Sequence, residues 1–225
     1  MTSIRTASSS SAAPPAATRA TTRGWLLALA LCGALVVLSV ALVDRSVARY
    51  IDSQFRGTDV ETLGLGVLLL LKPILAASLV LLVVGGILKS IRRDVPAWMH
   101  GPLVTALSMA ITLAVALSLK VAVGRSQVYP TFIPDHLYTL RPFHGGGDYE
   151  AFPSATLAVS AAGLTVVWLR VSRLRSLCVT ALLLVEAAIL LTNGHWLSDT
   201  LAGTFLGGFV GWAVCVRAVA WTRPR

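Results

Sequence analysis

The stretch NGHWLSDTLAGTFLGGFVG, residues Asn193 to Gly211, holds the strongest signal in the chain. His195 and Asp199 stand four residues apart at its start. A carboxylate that holds one imidazole nitrogen fixes the tautomer and makes the other nitrogen more basic, which suits a general base or a nucleophile. The same two residues also fit an interfacial histidine followed by an aspartate that caps a membrane helix, so the spacing alone leaves both interpretations open.

Glycines recur every four residues in the apolar part of this stretch, at Gly203, Gly207 and Gly211. Residues with this spacing lie on one face of a helix, and glycine has no side chain to hold a neighbour away. The pattern predicts a smooth stripe on which another helix packs closely.

The composition of the whole chain is typical of a protein that crosses a membrane several times. Of the 225 residues, 56% are hydrophobic and only 13% are charged. The net charge of +9 does not indicate a nucleic-acid partner, because the basic residues lie between apolar runs and not on one solvated face. Cys32, Cys178 and Cys215 lie within apolar runs without metal-ligand spacing, so we expect neither disulfide bonds nor a metal site.

Apolar runs predict six membrane-spanning helices. The first, Trp25 to Val43, is 19 residues long and has no clear cleavage site after it, which favours a retained anchor over a signal peptide. The others are Leu63 to Leu88, Leu103 to Val123, Ser154 to Leu169, Leu177 to Leu191 and Leu201 to Val216. The predicted fold is therefore all-α, a six-transmembrane-helix bundle with a structured outer loop between helices 3 and 4, Gly124 to Pro153.

Three regions make up the predicted domain organisation. Residues 1–23 are rich in Ser, Thr, Ala and Pro, so we expect a disordered cytoplasmic tail. Residues 24–218 form the membrane domain, and residues 219–225 form a short basic cytoplasmic tail. Between the first two spans, Asp44 to Glu61 carries apolar residues at helical spacing, which predicts a short helix on the membrane surface.

Lys72 and Pro73 interrupt the second predicted span. The lysine either pairs with an acid at similar depth, for which Glu186 is the available residue, or extends its ammonium group to the membrane surface. The proline leaves the start of this helix undecided.

Basic residues predict the direction of the spans. The side that holds both termini and the loops after spans two and four has twelve lysines and arginines, whereas the other side has five. By the positive-inside rule both termini are cytoplasmic, as expected for a protein of a bacterial-type inner membrane. Lys120, Ser154, His195 and Asp199 then all lie at the outer, periplasmic face.

These four residue types suit an anion at the depth of lipid headgroups, and phosphate fits best. Lysine supplies a point charge, a helix that starts at Ser154 supplies oriented N–H groups, and histidine can attack phosphorus. Helix ends collect polar residues in every membrane protein, however, so this arrangement alone does not settle the function.

Three motifs in order along the chain resemble those of the type 2 phosphatidic acid phosphatase superfamily. They are Lys120 followed by VAVGRS, FPSAT at Phe152 to Thr156, and GHWLSDTLAG at Gly194 to Gly203. The resemblance implies that Lys120 and Ser154 bind phosphate, that His195 becomes phosphorylated, and that Asp199 orients it. It implies no metal or other cofactor.

The chain departs from the family pattern in each motif. The family has Lys-x6-Arg-Pro, Pro-Ser-Gly-His and Ser-Arg-x5-His-x3-Asp, where this chain has Gln127-Val128, Ala155-Thr156 and Ala188-Ile189 at the differing positions. Two phosphate-binding arginines and the histidine that protonates the leaving group are thus replaced. Arg125 and Thr156 remain as further candidates for binding phosphate, and Arg141 and His144 of the long loop are candidates to compensate.

The predicted function is a membrane lipid phosphatase or phosphotransferase that acts on a phosphorylated headgroup at the outer face through a phosphohistidine. A diphosphate, such as a polyprenyl diphosphate, is favoured over a phosphatidate-type monoester because a phosphate leaving group needs little protonation. The alternative is a non-catalytic relative that binds lipid phosphate or a partner protein. The expected partners are the bilayer and the phosphorylated lipid, without nucleic acid.

Overall fold

The computed structural model describes residues 16–91, 95–144 and 146–221. The α-helices of this part are α1 (Ala16–Leu38), α2 (Asp44–Phe55), α3 (Asp59–Ser90), α4 (His100–Val123), α5 (Ile133–Asp135), α6 (Ala155–Arg170), α7 (Arg175–Leu191) and α8 (Leu197–Trp221). Short π-helical segments lie at Ser39–Val43 and Val128–Phe132, and 3-10 turns at Ala97–Met99, Gly147–Tyr149 and Ser172–Leu174. The prediction of an all-α fold is confirmed.

Five helical segments among the described residues are long and apolar enough to cross a membrane. They are Arg23–Phe55, Asp59–Ser90, Ala97–Val123, Ser172–Leu191 and Leu197–Ala218. The fourth predicted span, Ser154 to Leu169, corresponds to α6, which has 16 residues and is therefore shorter than the roughly 20 that span a bilayer. The chain is an integral membrane protein, and α6 is the most deeply buried of its apolar helices.

The N-terminal helix is longer than predicted. Helix α1 begins at Ala16, inside the region predicted as a disordered tail, and residues 1–15 of that region lie outside the described part. A π-helical turn joins α1 to α2 without a break, so the predicted surface helix is a continuation of the first span. Its residues Ala48 and Ile51 are buried against the rest of the protein. At the other end, α8 continues to Trp221, and residues 222–225 of the predicted basic tail are not described.

Helix α3 resolves the question of where the second span starts. It runs without interruption from Asp59 and carries Pro73 inside it. The Lys72 side chain is exposed, and no ion pair joins it to Glu186 in the part of the chain that the structure describes. Glu186 instead accepts a hydrogen bond from the Thr200 hydroxyl at 3.2 Å. The pair of Lys72 and Glu186 is therefore not formed in the described structure.

Helices α6 and α8 form the central pair of the bundle, and the glycine stripe explains their closeness. A Cβ atom built on Gly207 would lie 2.0 Å from the backbone oxygen of Ala158. A Cβ atom built on Gly203 would lie 2.6 Å from the backbone oxygen of Ser154, directly before α6, and one built on Gly211 would lie 2.6 Å from that of Ala162 in α6. The close helix contact predicted from the stripe is confirmed. Helix α4 packs against both members of this pair, α1 packs on α8, and α3 and α7 pack on each other.

Candidate functional site

The first turns of α6 and α8 and the last turn of α4 meet at one end of the bundle. The backbone N–H of Ser154, directly before α6, donates to the backbone oxygen of Asp199 at 3.1 Å. Lys120 is buried in the last turn of α4, where its ammonium group donates to the backbone oxygen of Glu150 and interacts electrostatically with Asp199. The structure therefore brings Lys120, Ser154, His195 and Asp199 to one place, although they lie in three separate parts of the sequence.

Asp199 takes both roles that its sequence position allowed. Its Oδ2 atom accepts a hydrogen bond from the backbone N–H of Trp196 at 3.1 Å, which satisfies a donor at the start of α8. The same Oδ2 atom lies 3.5 Å from Nδ1 of His195. The aspartate is thus a helix-capping residue and the carboxylate neighbour of the histidine at once.

His195 presents one nitrogen to this carboxylate and leaves the other on the far side of its ring. Nδ1 has no hydrogen-bond partner among the described residues. The distance from Nδ1 to Oδ2 of Asp199 must shorten by about half an ångström before a hydrogen bond forms. The histidine side chain is 17% exposed, whereas Asp199 is fully buried. The ring is therefore partly accessible, and its Nδ1 side faces a carboxylate inside the protein.

The Ser154 hydroxyl is the second buried polar atom that lacks a partner in the described part of the chain. Leaving a buried hydroxyl without a hydrogen bond costs about 1–3 kcal/mol. This oxygen lies at the N-terminus of α6, where backbone N–H groups and the helix dipole favour an anion. A phosphate oxygen placed there would satisfy the hydroxyl.

Arg125 occupies a different environment from the one predicted for a phosphate ligand. Nη1 donates to Oδ1 of Asp199 and Nη2 donates to Oδ2 of Asp44, each at 2.6 Å. The side chain is 4% exposed. Burial disfavours the charged guanidinium, but Asp199 and Asp44 outweigh burial and raise the pKa of Arg125. In this structure its donors are directed to carboxylates of the protein.

Asp44 is a residue of this site that the sequence interpretation missed. It is 1% exposed and accepts hydrogen bonds from the Ser39 hydroxyl at 2.7 Å and from the backbone N–H of Ser198 at 3.0 Å. The Ser198 hydroxyl adds a third bond at 2.5 Å, and Tyr138 lies within 3.3 Å. The available signal is an acid placed directly after an apolar run, a position that also fits the start of a surface helix.

The local backbone explains why Arg125 faces inward. Gly124 ends α4 with a φ of +57°, a left-handed conformation that glycine adopts without strain. A Cβ atom there would lie 1.7 Å from the backbone oxygen of Arg141, whose N–H donates back to Gly124 at 2.7 Å. Ser126, the residue after Arg125, is also held in place. Its backbone oxygen accepts a hydrogen bond at 2.8 Å from the indole N–H of Trp196, which is 1% exposed.

The remaining predicted residues lie at the edge of the site. Thr156 is half-buried in the first turn of α6. Arg141 and His144 are exposed and both contact Tyr149, with the guanidinium 4.5 Å and the imidazole 5.6 Å from the centre of that ring. Neither of these loop residues forms an ion pair in the described structure, and their contacts are with the aromatic ring.

An apolar cavity of about 370 Å³ adjoins the buried charges. It lies between Val40, Val123, Tyr138 and Phe152 and reaches Arg125. No cluster of three or more His, Cys, Asp or Glu side chains that suits a metal ion occurs in the described ranges.

Comparison with known proteins places this geometry in a family. The model described as the PAP2 superfamily matches residues 101–223, which include all three motifs and all four converging residues. No curated protein and no solved structure gives a significant match. Because the matched region covers more than half of the chain and carries the lysine, serine, histidine and aspartate of the site, the chain belongs to the PAP2 superfamily, that of the type 2 phosphatidic acid phosphatases.

Proposed function

We propose that the chain is a membrane lipid phosphatase or phosphotransferase that uses His195 as its nucleophile. Membership of the PAP2 superfamily indicates phosphatase-type activity. The observation that carries the proposal for this chain is the placement of His195, whose Nδ1 atom faces the buried Asp199 carboxylate while the ring stays accessible. This is the arrangement that a histidine nucleophile needs.

The proposed reaction has two steps. Nε2 of His195 attacks phosphorus from within about 3–3.5 Å, and the bond from phosphorus to the leaving oxygen breaks. Asp199 holds the proton on Nδ1 and stabilises the positive charge that develops on the ring. Water, or an acceptor alcohol in a phosphotransferase, then attacks the phosphohistidine and restores the free imidazole. Lys120 and the Ser154 hydroxyl stabilise the charge on the phosphoryl oxygens.

A lipid diphosphate is the substrate class that fits Thr156. An alkoxide leaving group needs a general acid, which typically contributes about 10²- to 10⁴-fold to the rate. Thr156 cannot supply a proton at neutral pH, since a threonine hydroxyl is not an ionisable acid. A phosphate leaving group carries its charge without protonation, so the missing acid costs little. The apolar cavity beside Arg125 would accept part of the lipid chain.

A panel of phosphorylated lipids tests this function. Purified protein in detergent should release phosphate from a polyprenyl diphosphate at least about 10²-fold faster than from phosphatidate, because only the monoester needs a general acid. Thr156→His should raise monoester turnover while leaving diphosphate cleavage nearly unchanged. Equal rates on both lipids, or faster monoester cleavage by the wild type, would contradict the proposed substrate class.

A specific observation favours the second candidate function, that of a non-catalytic member that binds lipid phosphate. Arg125 is held by Asp44 and Asp199, and Arg141 and His144 contact Tyr149, so the cations that could replace the missing arginines are engaged elsewhere. A wild-type protein that binds vesicles containing phosphorylated lipid but releases no phosphate from either class would establish this function.

The proposed site faces the periplasm of a bacterial-type inner membrane, and the topology can be measured separately. A reporter fused after Arg225 should read as cytoplasmic, and one inserted between Gly146 and Gly147 should read as periplasmic, because the positive-inside rule places both termini inside. A matched insertion at Gly57, in the turn between α2 and α3, should also read as periplasmic. The opposite pattern would place the site at the cytoplasmic leaflet.

A further inference from the structure

We propose that Arg125 and Asp44 are positioning residues that orient Asp199 toward His195. This inference rests on the proposed function, because the pair that they orient is the proposed nucleophile and its carboxylate. It differs from the sequence-based expectation that Arg125 binds the substrate phosphate.

The two oxygens of Asp199 have different partners. Oδ1 accepts from Nη1 of Arg125 at 2.6 Å, and Oδ2 accepts from the backbone N–H of Trp196 and faces His195. A charge-assisted bond of 2.6 Å at one oxygen fixes the rotation of the carboxylate. Oδ2 is thereby kept in the direction of the imidazole. Without Arg125, the Trp196 N–H alone would hold the carboxylate against rotation about its χ2 angle.

Asp44 holds Arg125 from the opposite side. The guanidinium is planar and its N–H groups point in fixed directions, so its two terminal nitrogens can each donate to a different carboxylate. Nη2 reaches Asp44 at 2.6 Å and the Tyr138 hydroxyl at 2.7 Å. Asp44 is itself fixed by hydrogen bonds from Ser39 and Ser198. Asp44, Arg125 and Asp199 are therefore each held by at least two hydrogen bonds.

The charges of this network also favour the proposed role. A lone guanidinium beside Asp199 would neutralise that carboxylate and weaken its attraction for a positively charged imidazole. Asp44 supplies a second negative charge, so the cluster of Asp44, Arg125 and Asp199 keeps a net charge of −1. Lys120 also interacts electrostatically with Asp199. Once its ammonium group pairs with the substrate phosphate, the negative charge of the cluster stabilises the cationic ring that forms when His195 attacks phosphorus.

The network connects the site to the N-terminal helix. Asp44 lies where the π-helical turn meets α2, and its partner Ser198 lies in the first turn of α8, 154 residues later. The backbone N–H of Asp44 donates to the Ser39 oxygen five residues earlier, which gives the wide turn that brings its carboxylate inward. The family model begins only at residue 101, so this contribution comes from outside the matched region.

The kinetic constants of a charge-conserving variant distinguish positioning from phosphate binding. Lysine at position 125 keeps the positive charge but replaces the rigid fork by a single rotatable ammonium group, so it does not hold the two carboxylates in the fixed geometry of the guanidinium. If Arg125 positions Asp199, Arg125→Lys should lower kcat on a polyprenyl diphosphate about 10- to 100-fold, the size of loss found when the hydrogen-bond partners that orient metal-ligating side chains are replaced. KM should change by less than about threefold, because Lys120 and Ser154, the groups proposed to bind the phosphate, are unchanged.

Arg56→Lys is the matched control. Arg56 also pairs with an aspartate, Asp52 at 2.9 Å, but this pair is exposed at the surface. Arg56→Lys should leave kcat and KM unchanged. Asp44→Asn should reproduce the loss in kcat at unchanged KM, and Asp52→Asn should not. Thermal unfolding in detergent shows whether each variant is folded.

Tyr138→Phe provides a test that does not depend on breaking a buried ion pair. It removes one partner of Arg125 and of Asp44 while both carboxylate bonds stay in place. We expect a folded protein with kcat lowered about threefold to tenfold and KM unchanged.

Three results would overturn the inference. A rise in KM as the main effect of Arg125→Lys would make Arg125 a phosphate ligand. Wild-type kcat in the folded variants of Arg125, Asp44 and Tyr138 would make the network purely structural. An inactive wild-type protein would overturn the proposed function and this inference with it, whereas the first two results leave the proposed function in place.

Discussion

Replacing His195 with alanine is expected to abolish phosphate release, with a loss of at least about 10³-fold in kcat, because the variant has no nucleophile. Binding of the phosphorylated lipid should persist, since Lys120 and the Ser154 hydroxyl remain. Phosphate release from a polyprenyl diphosphate and co-sedimentation with vesicles that contain it measure the two effects separately. His100→Ala is the matched control, because His100 is exposed at the start of α4, at the opposite end of that helix from Lys120.

Two other outcomes have a clear meaning. If wild type and His195→Ala are equally inactive on both lipid classes while both bind the lipid, the histidine has no catalytic role and the chain is a binding member of its superfamily. If His195→Ala retains most of the activity, phosphorus is attacked by another group and the proposed mechanism is wrong.

The sequence predicted the parts of the site that lie within motifs. His195 and Asp199 are one helical turn apart, so a local pattern is enough to place them together. Ser154 and Lys120 could be placed beside them because topology puts the ends of their helices at the same membrane face. The glycine stripe likewise predicted the contact of α8 with another helix, and the structure identifies that helix as α6.

The part that could not be predicted depends on contacts across long sequence separations. Asp44 and Arg125 are 81 residues apart, and Asp44 lies in none of the three motifs. The same arginine satisfied a local expectation, namely a cation near Lys120, so the sequence assigned it to phosphate. Only the folded chain shows that two carboxylates occupy its donors.

The end of the first helix also differs between the sequence prediction and the structure. A hydropathy pattern ends the first span at Asp44, because an acid follows an apolar run, but the helical hydrogen bonds continue through the π turn into α2. The buried bonds of Asp44 offset the cost of placing its charge there. A pattern of polar and apolar residues does not show whether a charged side chain is neutralised by a partner that is distant in the sequence.

Replacing Gly207 with leucine should have the largest effect on stability of any single change in α8. A Cβ atom at this position would lie 2.0 Å from the Ala158 backbone oxygen and 2.8 Å from the Ala161 Cβ atom. Because a backbone oxygen cannot move aside as a flexible side chain does, α6 and α8 must separate. Overpacking of this kind costs about 3 kcal/mol or more. The thermal unfolding midpoint in detergent should fall by about 6–12 °C.

Gly208→Leu is the matched control, because it introduces the same side chain one residue later on the same helix. The nearest atom to a Cβ there is the Thr165 hydroxyl oxygen at 4.0 Å, so the added group meets open space. Leucine also has a higher helix propensity than glycine by up to about 1 kcal/mol, which should leave this variant as stable as the wild type or more so.

Separation of α6 from α8 also breaks the bond between Ser154 and Asp199, so Gly207→Leu should lose phosphate release together with stability. Equal unfolding midpoints for the two variants would mean that the stripe does not face α6.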